Sequence, residues 1–286
     1  MLYDKEPIQE LGRLFNHRKS KRGEPVSQSL FLHFRKITAM KLFVVFSFIF
    51  SGLLVSMPLH AKEKLLVCTN NYEPYYGETM TDYGPLIKIT RLAFTMVGYD
   101  VAVRFSPWAR VLKDAEAGKC DIIAAVWFDT GRTNWMALSD PILTNEIGFY
   151  KRKDDALVFN GYPDLQSRDV VIGTVKGYIN PTGLETAGIK TEEVSEDLLN
   201  MKKLINQRIR LALVDRNVGW YLLKKSGQEQ RVAWLVTLQK LPLHNAIIKT
   251  AKGNWGKRLV DFNRGLAVLN TQGTVSKILK EYHIQD

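Results

Sequence analysis

Arg132 is the side chain in this sequence best placed to handle a small charged molecule. It closes the polar segment Asp129-Thr-Gly-Arg132, just past the compact apolar run Asp121–Trp127. Such a run reads as a strand buried on both faces. In an open α/β sheet, ligands gather at the carboxyl ends of the strands. A guanidinium there can hold a carboxylate through two parallel hydrogen bonds. The competing reading is an ion pair with Asp129 or Asp140. Other chemistries find little footing. There is no G-x-S-x-G, no phosphate-binding glycine loop, and Cys68 and Cys120 lack zinc-site spacing. No metal, cofactor or catalytic residue is expected.

The elements that must position Arg132 follow from periodicity. Trp108, Val111, Leu112 and Ala115 recur at helical spacing, and Gly118 can end that helix. Upstream, Leu65–Thr69 reads as a strand that runs into the aromatic loop Asn70–Tyr76. Gly84-Pro85 opens a helix with an apolar face of Leu86, Ile89, Ala93, Met96 and Val97, and Asp100–Phe105 alternates like a strand. Strand and helix in alternation predict a parallel sheet with right-handed crossovers. Downstream, 142–153 reads as a further strand, with Asp154-Asp155 as a boundary after it. Strands are expected at 169–173 and 209–214, the latter ending in Asp215. Asn180-Pro181 is expected to start a helix whose free N–H groups favour an anion, and Ser195 to cap another. A further strand is expected at 231–238, 241–250 reads as a return crossing, and helices follow.

The chain has 286 residues and a formal charge of +11, of which residues 62–286 carry only +6, scattered. That distribution reads as a solvated basic surface rather than a nucleic-acid site. Lys41, the apolar stretch Leu42–Val55 and the segment ending at Ala61 have the layout of a secretory signal peptide cleaved after Ala61. That peptide is complete from Met40, so 1–39 read as a mis-assigned N-terminal extension. The mature protein is expected in the periplasm.

The pattern W-x-R-x-L-x-x-A-x-x-G-x-x-D-I-I from Trp108, then an arginine nine residues before the proline of Ser139-Asp140-Pro141, resembles the periplasmic solute-binding proteins of ABC importers, polar amino acid type. The resemblance covers nearly all of 62–286. It implies an α/β, two-lobed, type II periplasmic-binding-protein-like fold, each lobe a mostly parallel sheet flanked by helices. Residues 62–152 and 246–286 would form lobe 1, and 153–245 lobe 2, with two hinge crossings. It implies a monomer that binds a small polar or carboxylate ligand and passes it to a membrane permease, with no nucleic-acid partner.

The resemblance also implies site residues. Arg132 matches the arginine that holds an α-carboxylate, and Asp215 the carboxylate that holds the α-ammonium; for Asp215 the alternative is a cap on the next helix. Tyr72, Tyr75 and Tyr76 are candidates for stacking on the ligand. Thr174, Lys176 and Gly177 lie in the loop after the first strand of lobe 2. Arg110 could add a second cation, or pair with Asp114 four residues on. Trp127 and Asp129 depart from the pattern: the indole narrows the cleft, and the carboxylate competes for Arg132. The topology implied would put Cys68 and Cys120 at opposite ends of neighbouring strands, about 13 Å apart and beyond a disulfide's reach of about 7 Å, so two separate thiols are expected. Two other readings remain: a dehydratase-type enzyme on the same fold, with Glu73 as general acid, since His244 and His283 fall outside the expected cleft loops; and a sensor subunit acting through a partner.

Overall fold

The computed structural model describes residues 62–284. The signal-peptide and N-terminal-extension readings lie outside these residues. Among the described residues no helix is long and apolar enough to cross a membrane.

Lobe 1 is built on three parallel strands. β1 (Glu63–Thr69) lies between β2 (Tyr99–Phe105) and β3 (Ile122–Val126). Two crossover helices connect them, α1 (Pro85–Met96) and α2 (Trp108–Glu116). Lobe 2 repeats the plan. β5 (Ile172–Val175) lies between β6 (Thr191–Val194) and β7 (Leu211–Asp215), again all parallel. Its helices are α3 (Tyr162–Ser167), α4 (Asp197–Ile205) and α5 (Arg216–Ser226). Back in lobe 1 the chain forms α6 (Trp255–Thr271) and α7 (Thr274–Glu281), where Phe262 meets Phe94 of α1 with ring centroids 5.0 Å apart.

Two long antiparallel strands, β4 (Met136–Arg152) and β8 (Val232–Ile248), run through both lobes. The first-lobe end of β8 pairs with β3, and the second-lobe end of β4 pairs with β7. The result is one sheet of order β2-β1-β3-β8-β4-β7-β5-β6. The sequence reading split β8 at Gln239–Lys240; the strand continues because its neighbour β4 supplies a ladder partner along the whole length, Thr144 lying opposite Pro242.

Three other expectations need correction. Cys68 and Cys120 form a disulfide, with Cα atoms 5.9 Å apart. The strands are parallel neighbours, but β3 begins only opposite the end of β1, Val67 pairing with Ile122. In that register an extended approach would leave Cys120 level with Leu65; instead residues 117–121 turn and bend on the way into β3, which carries Cys120 to Cys68. The helix expected after Asn180-Pro181 does not form; residues 182–188 are a run of turns. Finally, α4 starts after Glu196 rather than Ser195, and no side chain caps it.

Candidate functional site

The two lobes meet over a small cavity of about 30 Å³. Lobe 1 contributes Asn70, Tyr72, Tyr76, Trp108, Trp127 and Arg132, while Tyr178 and Ile179 come from lobe 2 and Leu243 from the crossing strand β8. Each is delivered by a local feature of the chain. The loop 70–77 folds back on itself, with Tyr72 N–H bonded to the Tyr76 carbonyl at 2.9 Å, and the Glu73–Pro74 peptide is cis. Gly84, at φ +91°, lies so close under the loop that a Cβ there would come within 2.7 Å of Tyr75 and Tyr76 backbone. A bulge in β3 brings Ala125 to φ +52°, and the Asn245 side chain accepts its N–H at 3.2 Å. The shift turns the segment that ends in Trp127 toward the cleft.

Arg132 closes a short 3₁₀ turn, Thr130–Arg132, whose N-terminus is capped by Asp129 through Gly131 N–H at 2.8 Å. Its Nε also meets Asp129 at 2.8 Å. Its Nη2 reaches across the cleft to the Gly177 carbonyl at 2.9 Å, and Trp108 Nε1 donates to the same oxygen at 3.0 Å. Gly177 has φ +83°, and a Cβ would crowd Leu112 of lobe 1 at 3.1 Å. Glycine thus fits both the backbone conformation and the close approach.

That approach carries Tyr178 into the cavity. Its ring stands edge-on to Tyr72, Trp108 and Trp127, at centroid separations of 6.1–6.4 Å, the favoured geometry for aromatic pairs. Its hydroxyl donates to Asp197 Oδ2 at 3.0 Å and accepts from Asn70 Nδ2 at 3.3 Å. The other Asp197 oxygen and the Tyr72 hydroxyl are buried with no partner. Burial pushes the Asp197 carboxyl up to about 7, with nearby Asp215 and Glu196 adding to the rise against the Tyr178 hydrogen bond. Burial likewise holds the Tyr72 and Tyr178 hydroxyls well above the ordinary phenol value.

The expected residues separate into those the fold assembles and those it does not. Tyr72, Tyr76, Trp127 and Arg132 line the cavity. Asp129 holds Arg132, as the departure at that position suggested. Gly177 is the docking carbonyl. Asp215 does not present a free carboxylate. It is 1 % exposed and caps α5, accepting from Asn217 and Val218 N–H at 2.8 and 2.9 Å, from Asn145 at 2.7 Å, and from Tyr75 at 3.4 Å. Burial pushes its carboxyl up to about 7 against these donors. The carboxylate is consumed because it ends a strand directly before a helix, where the orphan N–H groups take it. Tyr75 is spent on Asp215 and on Asn217 at 2.9 Å. Arg110 pairs with Asp114 at 3.1 Å. Thr174 is buried against Asn180, and Lys176 is exposed. Glu73 lies outside the cavity lining, and His244 is tied to the Ser139 carbonyl at 2.7 Å.

Several contributors were not anticipated. Tyr178 and Asp197 come from lobe 2, and Asn70 and Trp108 from lobe 1. Asn145 was also missed; it links Trp127 Nε1, at 2.9 Å, to Asp215. For Tyr178 the available signal was a bulky ring directly after a loop glycine.

Residues 65–285 match the family model of bacterial extracellular solute-binding proteins, family 3. The chain belongs to that family. Solved structures place the same fold around it. A mutant ArgBP from T. maritima is 16% identical, with a TM-score of 0.66 over 77% of this chain and 94% of that one. The GluR0 ligand-binding core from Nostoc punctiforme, in complex with (L)-glutamate, is 18% identical, with a TM-score of 0.66 over 77% and 100%. An ancestral amino acid-binding protein described as a precursor of cyclohexadienyl dehydratase is 21% identical, with a TM-score of 0.63 over 77% and 95%. No match is found among curated proteins. This solute-binding protein therefore has the two-lobed type II architecture of its family, and its cleft is aromatic, with one guanidinium and no carboxylate in the cavity wall.

Proposed function

We propose that this protein binds a small polar solute, an amino acid or related carboxylate, in the periplasm, by closing its lobes over it, and delivers it to the membrane permease of an ABC importer. The observation that carries this reading is the Arg132 contact with the Gly177 carbonyl. A cation on one lobe already reaches an acceptor on the other, so a carboxylate between them would meet the same guanidinium at the point of closure. The two lobes are the bodies that move, joined by β4 and β8, which cross between them. Only the closed form makes contacts to both, so the ligand's own binding energy shifts the equilibrium toward it. Tyr72, Tyr76 and Trp127 supply the flat walls. Relatives of the same fold bound to L-arginine and (L)-glutamate support the ligand class.

The test is a thermal-shift screen of the mature protein with amino acids, small carboxylates and polyamines. A true ligand raises the melting temperature with its concentration. Arg132→Ala is expected to abolish that shift. A shift that survives the substitution refutes the assignment of Arg132.

A further inference from the structure

The cavity, at about 30 Å³, has room for a water or two and not for an amino acid. What fills the rest is Tyr178. Its ring is packed by three aromatic side chains, and its hydroxyl is held by Asp197 and Asn70. Asp197 is 5 % exposed and keeps one oxygen without a partner, next to a single phenol donor. A buried carboxylate served by one hydrogen bond is poorly satisfied. Asp197 also lines a second and larger cavity between the lobes, of about 280 Å³, with Asn71 and Glu73 from lobe 1 and Lys202 and Lys225 from lobe 2. The residue thus borders this cavity, while its unpartnered oxygen stays buried beside Tyr178.

We propose that Tyr178 is an internal occupant of the binding cleft, and that the solute is one whose ring or cationic group takes the place of the Tyr178 phenol against Asp197 while its carboxylate meets Arg132. Three features select this class. The vacated space has aromatic walls, which favour a flat ring or a cation. Its far end is an acid in need of donors, which a guanidinium, ammonium or phenol supplies and a second carboxylate does not. Its near end is the Arg132 fork, freed when the Gly177 carbonyl withdraws. Tyr178 then acts as a competitor tethered to the protein, and only solutes that outbid it are taken.

This inference rests on the binding reading above. The mature protein, Tyr178→Ala, and Tyr178→Ala combined with Asp197→Asn are titrated with L-arginine, L-tyrosine and succinate, by calorimetry and by the fluorescence of Trp108 and Trp127. Removing the internal competitor is expected to tighten L-arginine or L-tyrosine binding by about tenfold or more, and adding Asp197→Asn to erase the gain. Succinate, with no donor, is expected to gain nothing. Tyr178→Phe, which keeps the ring and loses both hydroxyl contacts, is expected to give a smaller gain and guards against a folding defect in the alanine variant. Binding by the unaltered protein that Tyr178→Ala leaves unchanged or weakens overturns this inference alone, as does an equal gain for succinate. Binding of none of the three solutes by any of these proteins overturns both this inference and the reading beneath it.

Discussion

Arg132 Nη2 and the carbonyl oxygen of Gly177 lie 2.9 Å apart, a side chain of one lobe bonded to the backbone of the other. Trp108 shares that oxygen from the same side. The contact does two things at once. It seats the loop that carries Tyr178, and it keeps a mostly buried guanidinium satisfied on the face that Asp129 does not cover.

A lysine at position 132 keeps the charge and loses the planar fork. Arg132→Lys is expected to leave the fold intact by circular dichroism. It should weaken binding of a carboxylate solute by about ten- to a hundredfold, the worth of a charge-assisted hydrogen bond. Isothermal titration of the two proteins side by side checks this; equal affinities would remove the fork from the site.

The Cys68–Cys120 disulfide closes a segment 52 residues long that contains α1 and β2. Restricting the unfolded chain over such a loop contributes about 2–4 kcal/mol. Cys68→Ala with Cys120→Ala is expected to lower the urea midpoint accordingly, and reducing agent should do the same to the unaltered protein. A midpoint insensitive to both would show that the bridge contributes nothing.

Burial raises the Asp197 carboxyl to about 7, and the Asp215 carboxyl likewise. Titratable groups around Asp197 include Tyr178, Tyr72, Tyr76, Glu196 and Asp215, and Glu73, Lys202 and Lys225 line the same cavity. A carboxyl raised on folding binds its proton more tightly in the native state. Its stabilising contribution is therefore full below the unfolded value near 4 and is lost as pH rises through 7. Relative to the unaltered protein, Asp197→Asn is expected to lose less stability between pH 4 and 8. Melting curves across that range decide it; parallel profiles would mean that Asp197 does not titrate there.

Gly148 sits in β4 at one of the register shifts between the crossing strands. A Cβ there would stand 2.0 Å from the Val236 carbonyl oxygen and 2.8 Å from the Trp234 ring. Gly148→Ala forces the strands apart and is expected to cost about 1–3 kcal/mol or more, read as a lower denaturation midpoint. An unchanged midpoint would show that the crossing strands yield at no cost.

Much of the fold was legible because its signals are local. The helical spacing of Trp108, Val111 and Ala115, and the apolar run before Trp127, need only neighbours a turn or a residue away. Arg132 and the tyrosine loop were legible as strand-end features for the same reason. What failed was decided at long range. The turn and bend at 117–121, where an extended approach to β3 was expected, bring the cysteines together across two elements far apart in sequence. Asp215 is a different case: a ligand role was expected with helix capping as the alternative, and its carboxylate caps the helix that follows, a contact as local as the signal. Tyr178 belongs to the site only because Gly177 docks on the other lobe, a contact between residues 45 apart in sequence in the case of Arg132.

The paired strands β4 and β8 have a mechanical consequence. They form a double rail common to both lobes, interrupted by shifts near Leu138–Leu143 and Ile147–Tyr150. A rail of this kind bends and twists at its interruptions but resists sliding, because sliding would break every rung of the ladder. Closure as proposed above would therefore be a rotation, with an arc that grows with distance from the rail. The outermost strands, β2 and β6, would sweep furthest, which makes them the places where a pair of distance reporters would register the smallest change of angle.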